Sequence, residues 1–401
     1  MPTRPSGPVC PPGHSPSTPS RSARPCPAAT SEPNARTPEP ATVDRAQPRR
    51  HAIRAGSAIA SLALTTLLAG LAMPAAAQTA SALPGEFALR TTKGFYLTAI
   101  DGGGRSAAPT IVTASTSAGA WERFRIVVGD PAPLYDKNFQ TATGNYVTAV
   151  NTGGMTSDAL HTDATQARSW EQFRMVDLSE AAFAPTWYGL TTIGGKSVTA
   201  VGGGGQYQDA IHTDGTQIGT WEEFRPVKCG DLGSGYDYYV IAADGRALTA
   251  ANGGGAVSDA LVSGKWFGEP DNLQWSRFTL LRQPDGSYAL RTSNGANYLT
   301  ALGGGGQVQE YIHCHPGFPG ACIDGLSDIF HTDATQVQGW EKFRIVDQGN
   351  CKYTVQTVSL FYFGLYQTSN GMMFTTRRSI ISDNEKFEFV MSSLGSPPIL
   401  H

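Results

Sequence analysis

Imidazole and carboxylate side chains stand two residues apart at three places: His161-Thr-Asp163, His212-Thr-Asp214 and His331-Thr-Asp333. Three residues before each histidine stands a further acid, Asp158, Asp209 or Asp328. Residues two apart in a strand share a face. Each His and Asp should therefore project outward together, opposite the apolar residue and the Thr that alternate with them. Such a cluster suits paired hydrogen bonds to sugar hydroxyls, and several weak copies gain avidity on a polymer. The competing reading is structural: Asp and Thr bond local backbone well, so the trio could brace a turn or simply be a solvated face copied by duplication. The spacing matches no strong metal motif, so no metal or cofactor is assigned.

A second cluster lies in an insertion at about Glu310–Ser327, which holds Tyr311, His313, His315 and Asp324 around Cys314 and Cys322. Loops added to a scaffold often carry binding function, and this one reads as a recognition loop clipped by a Cys314–Cys322 bridge. Zinc on His313, Cys314 and His315 would lack a second ligand cluster. The chain has no Gly-x-Ser-x-Gly elbow and no His-Glu-x-x-His. Glu122, Glu171, Glu222 and Glu341 invite comparison with the carboxylate pair of glycosidases. They recur in register, however, which argues for hydrogen bonds or ion pairs inside each unit, with Arg125, Arg174, Arg225 and Arg344 as partners. A hydrolase is therefore the least favoured class.

The elements that must position these groups are repeats. Trp121-Glu-Arg-Phe, Trp170-Glu-Gln-Phe, Trp221-Glu-Glu-Phe, Trp275-Ser-Arg-Phe, Trp340-Glu-Lys-Phe and Asn384-Glu-Lys-Phe are six forms of one phrase, at spacings of 49, 51, 54, 65 and 44 residues. A second phrase precedes each: Tyr96-Leu-Thr-Ala, Tyr146-Val-Thr-Ala, Ser197-Val-Thr-Ala, Ala247-Leu-Thr-Ala, Tyr298-Leu-Thr-Ala and Tyr366-Gln-Thr-Ser. Alternating apolar residues between Gly and Asn turns give four short strands per unit, hence an all-β chain. The recurrent Trp is expected to fill the interior. Six such units could build a six-bladed propeller or two β-trefoils of three units each. The Gly-rich junction Cys229–Gly235 follows the third unit and favours the second. It would divide the chain into trefoils at 84–228 and 236–392, joined by a linker at 229–235.

Residues 1–48 carry 13 of the 26 prolines and read as disordered, with Val43 placed as an alternative start. Residues 49–77 read as a secretion signal: Arg49, Arg50 and Arg54, an apolar run from Ala58 to Leu71, and a small-residue cleavage site ending at Ala77. Secretion, extracellular or periplasmic, is therefore expected. Eight of the 30 basic and three of the 33 acidic residues precede Gln78, leaving a balance of −8. That argues against a phosphate-backbone partner, and no later stretch is long and apolar enough to span a membrane. Four cysteines follow Gln78. Cys229 and Cys351 each follow a Trp phrase and are paired on that likeness, leaving Cys314 with Cys322.

Tyr-Leu-Thr-Ala, a Gly-rich loop, an apolar-x-Thr strand and Trp-Glu-x-Phe together resemble the fascin-type β-trefoil unit, from about Glu86 to Val390. The resemblance implies two tandem trefoils. Secreted bacterial proteins with similar units look like binding modules for polysaccharide or glycoconjugate. Fascin's actin bundling supplies the alternative, a protein-binding or crosslinking module.

Overall fold

The computed structural model describes residues 81–128, 137–178, 187–257, 260–262, 273–306, 310–314, 322–326, 329–368, 371–392 and 394. These lie within one compact unit, Met73–His401. Among them are strands and short 3-10 turns and no α-helix, as the alternating apolar pattern requires. The leader and signal, 1–77, lie outside the described residues.

The strands pair antiparallel in two closed circuits. Glu86–Thr91 pairs with Arg123–Val128, which pairs with Lys137–Gln140; that strand meets Phe173–Asp177, which pairs with Tyr188–Thr192. Tyr188–Thr192 meets Glu223–Cys229, and Glu223–Cys229 returns to Glu86–Thr91. The second circuit runs from Asp237–Ile241 to Arg277–Arg282 and Tyr288–Thr292, crosses the Tyr288–Phe343 bridge to Arg344–Asp347, and continues to Tyr353–Gln356. From there the Tyr353–Phe387 bridge leads to Glu388–Met391, which pairs with Asp237–Ile241.

Inside the circuits sit the phenylalanines of the Trp-Glu-x-Phe phrase. Phe124, Phe173, Phe224, Phe278, Phe343 and Phe387 are all at most 2% exposed. The expectation for the tryptophans is overturned: Trp121, Trp170, Trp221 and Trp340 are between 42% and 49% exposed. The reason is local. Trp121 and Trp170 stand in 3-10 turns, Ala120–Glu122 and Ser169–Glu171, ahead of the strand whose alternation points Phe inward.

The glutamates after the tryptophans bond inside their own units, and the partners are threonine hydroxyls. Thr98, Thr148, Thr199 and Thr300 donate their hydroxyls to Glu122, Glu171, Glu222 and Glu341 at 2.7–2.8 Å. The second carboxylate oxygen takes a backbone N–H three residues back, from Arg168, Gly219 and Gln338 at 2.7–2.8 Å. The two repeated phrases are thus the two halves of one buried latch. In unit four Ser276 replaces the acid and meets Thr249 at 2.7 Å.

Unit six departs from the sequence alignment. Leu365 pairs with Phe374 as Ala99 pairs with Ile111, so Tyr362-Phe363-Gly364-Leu365, not Tyr366-Gln-Thr-Ser, occupies the Tyr-Leu-Thr-Ala place. Gly364 stands where the Thr belongs. Glu385 Oε1 accordingly has no hydrogen-bond donor and instead faces Arg378 Nε at 3.4 Å.

The Gly-rich loops tie each unit to the next. Gly104 and Arg105 donate backbone N–H groups to the carbonyl and hydroxyl of Thr162 at 2.7 and 3.1 Å. Gly154 and Met155 do the same to Thr213 at 2.6 and 3.2 Å, and Gly205 and Gln206 to Thr113 at 2.8 and 3.2 Å. The first three units therefore clasp one another in a ring. At Gly103, Gly153 and Gly204 φ is between 103° and 108°, where only glycine is comfortable, and a Cβ would lie 2.3–2.8 Å from a threonine hydroxyl.

Where the circuits meet, Val227 pairs with Val390 and Cys229 is bonded to Cys351. Glu388, 4% exposed, takes Arg90 at 3.2 Å and Lys352 at 2.7 Å. Burial pushes its carboxyl up, but Lys352 and Arg90 outweigh burial and hold it below the usual carboxylate range. The Tyr353 hydroxyl donates to the Gly230 carbonyl at 2.7 Å, and the Tyr288 hydroxyl to that of Leu232 at 3.0 Å.

Candidate functional site

The three His-x-Asp phrases lie on Leu160–Ala164, Ile211–Gly215 and Phe330–Ala334. In each strand the apolar residue and the Thr are buried, the His is half-buried and the Asp is exposed. Alternation thus puts His and Asp on the outward face, and the buried Thr is the one that clasps the neighbouring Gly-rich loop.

Asp158 and Asp209 have left-handed backbones, φ 49° and 51°, a conformation Asp tolerates because its short side chain bonds locally. That turn swings each carboxylate back toward the histidine three residues on. His161 Nε2 and His212 Nε2 lie 3.1 Å from Asp158 Oδ1 and Asp209 Oδ1. His212 Nδ1 is 4.0 Å from Asp214 Oδ1, so this imidazole sits between two carboxylates. In unit five His331 Nδ1 is 3.7 Å from Asp333 Oδ1. Asp163 is exposed on the same face as His161. Asp328 and His315 lie outside the described residues.

Asp158 and Asp209 also share a depression of about 50 Å³ where the first three units meet, lined by Ala108–Ile111, Asp158–Leu160 and Gln208–Ile211. Unit one contributes Pro109 where the others contribute an acid. Asp158 Oδ1 accepts the Ala108 N–H at 3.0 Å, tying its turn to unit one. A water needs roughly 10–15 Å³ of such space, so the depression holds a few waters or one projecting hydroxyl group, not a whole sugar ring. Sequence reasoning missed this convergence because it depends on three loops far apart in the chain.

The insertion forms a hairpin, Glu310–Cys314 with Cys322–Leu326, in which Cys314 and Cys322 are direct partners. Tyr311 and His313 are on its first strand. Their side chains, and those of the two cysteines, lie outside the described residues. Among the described residues no three His, Cys, Asp or Glu side chains gather as a metal group would.

No protein-family model and no curated protein matches the chain. Among solved structures, the designed threefold-symmetric protein ThreeFoil is similar over 36% of this chain and 99% of its own, at 16% identity and a TM-score of 0.31. The apo BEL β-trefoil covers 40% of this chain and 97% of its own, at 11% identity and a TM-score of 0.28. SeviL bound to asialo-GM1 saccharide covers 38% and 95%, at 10% identity and a TM-score of 0.24. Likenesses this slight leave the ligand to be argued from the chain's own residues.

Proposed function

We propose that this chain is a secreted, non-catalytic carbohydrate-binding module built as two tandem β-trefoils of fascin type. The two closed pairing circuits support the architecture, because each unit's first strand pairs with the last strand of its neighbour. A propeller blade pairs its own strands instead. The Cys229–Cys351 bond supports an oxidising compartment.

The observation that carries the ligand class is the outward His-x-Asp face repeated in three units, with Asp163, Asp214 and Asp333 exposed and the imidazole Nδ1 of His212 and His331 lying 4.0 and 3.7 Å from Asp214 and Asp333. Each such face presents an imidazole and a carboxylate together at the surface, an arrangement suited to vicinal hydroxyls. The test is binding of the chain from Gln78 onward to a glycan array and to insoluble polysaccharides. Binding should be lost in the combined Asp163→Ala, Asp214→Ala, Asp333→Ala variant while its melting transition stays within a few degrees of the parent. Silence of the parent chain on every glycan, or full binding by the folded triple variant, would overturn the assignment.

A further inference from the structure

Four tryptophans at the same place in four units keep nearly half their surface in water. Folding does not ask for this. The buried Phe three residues on fills the core, and burying an aromatic ring is favourable by about 25 cal/mol per Å². A large aromatic left exposed at one position of a repeat is the informative kind of exposure.

The rings have definite neighbours. Trp121 Cδ1 lies 3.4 Å from where a Cβ on Gly102 would stand, and Trp340 Cδ1 lies 3.6 Å from the same point on Gly304. Both glycines are in left-handed turns, so the ring edge rests on bare backbone. Beside the same points stands the hairpin tip of the next unit: Thr143 at Gly102, Ser359 at Gly304. At Trp221 the tip of unit one arrives likewise, with the Thr92 hydroxyl donating to the Thr220 carbonyl at 3.0 Å. Trp121, Trp221 and Trp340 therefore each have an apolar surface in solvent and a hydroxyl-bearing turn alongside, and Trp170 shares their place in the repeat and their exposure.

That composition selects among ligands. A protein partner needs a continuous patch of about 800 Å² with an apolar centre, whereas these exposed rings recur one per unit among polar turns. Nucleic acid bases also stack on aromatics, but their binding grooves are basic, and the chain after Ala77 is acidic. A sugar ring has one apolar C–H face and a rim of hydroxyls, and it matches a single indole beside a hydroxyl-bearing turn. We propose that Trp121, Trp170, Trp221 and Trp340 are stacking platforms, each for one sugar residue of a polysaccharide. Weak platforms at repeated positions gain affinity on a polymer that no single one has.

This deepens the carbohydrate reading above and rests on it. The probes are xylan, chitin and cellulose, with N-bromosuccinimide oxidation of indoles mapped by mass spectrometry. On the parent protein, bound polysaccharide should slow oxidation of these four tryptophans at least fivefold. The combined Trp121→Ala, Trp170→Ala, Trp221→Ala variant should bind at least tenfold more weakly, and the corresponding Trp→Tyr variant, which keeps an aromatic face, should recover most of the loss. The protection measurement needs no variant, so misfolding of the alanine protein cannot mask the answer. If polysaccharide binds while all four indoles oxidise at the free rate, and binding falls only in the triple Asp variant, the platforms are overturned and the carbohydrate reading stands. If no polysaccharide binds, both fall.

Discussion

Replacing Glu171 by alanine tests the latch that joins the two repeated phrases. Glu171 is 5% exposed and accepts the Thr148 hydroxyl at 2.8 Å and the Arg168 N–H at 2.7 Å. Hydrogen bonds to a charged acceptor contribute about 1.5–3 kcal/mol each, and a stranded buried donor costs about 1–3 kcal/mol. Part of this is offset because the variant no longer buries a carboxylate. The expected net loss is about 3 kcal/mol, read as a lower urea midpoint with an unchanged m-value. Glu171→Ser should lose less, since unit four closes the same contact with Ser276 and Thr249. A double-mutant cycle with Thr148→Val should give a coupling of about 1–2 kcal/mol. Polysaccharide affinity at low temperature should not change. A stability change below about 0.5 kcal/mol, zero coupling, or lost affinity with no change in midpoint would refute the latch.

Three further outcomes are expected. Gly153→Ala places a Cβ 2.5 Å from Thr192 Oγ1 at φ 103° and should cost about 2–4 kcal/mol; Gly154→Ala, with open space at its Cβ, should cost about 1–2 kcal/mol for backbone strain alone. Leu360 holds φ 67° where the hairpin tips of the other units place Gly94, Gly144, Gly195, Gly245 and Gly295, so Leu360→Gly should stabilise by about 1 kcal/mol in urea titration. Burial holds the Lys228 ammonium down to about 8 from 10.5, only partly offset by Asp231 and Glu86. Between those values the unfolded chain binds the extra proton, so stability rises with pH by up to about 3 kcal/mol. Above pH 10 the sign reverses, because burial raises the hydroxyls of Tyr96, Tyr188, Tyr238 and Tyr353 and unfolded tyrosines lose protons first. Stability should therefore peak near pH 10, and Lys228→Met should flatten the rising limb; a steady fall from pH 8 would contradict the assignment.

The strand content was legible because alternation between Gly turns is a local signal, and Cys229 with Cys351 was legible because both follow the same phrase. Side-chain direction in the turns was not legible. Trp121 is the largest aromatic residue of its phrase, yet it belongs to the 3-10 turn and not to the strand, so the period-two rule does not apply to it. For Glu122 the register of the repeat made a bond inside its own unit legible, but left open whether the partner was a hydrogen-bonding group or an arginine. Its true partner, Thr98, is neutral, and the clue was that both residues recur together. Unit six misled because Tyr366-Gln-Thr-Ser resembles the phrase more closely than Tyr362-Phe363-Gly364-Leu365 does, and only pairing with Phe374 reveals the register. At the candidate site, alternation fixed the outward His and Asp. The left-handed turns of Asp158 and Asp209 and their shared depression required three dimensions.

The clasp of Gly104, Gly154 and Gly205 on the threonines of the following units has no first or last member. Deleting one unit would open two joints, not one, and leave a loop with no threonine and a threonine with no loop. A lineage built on this plan should therefore lengthen or shorten by whole triplets, and intermediate sizes should be selected against at the level of folding before any ligand is met.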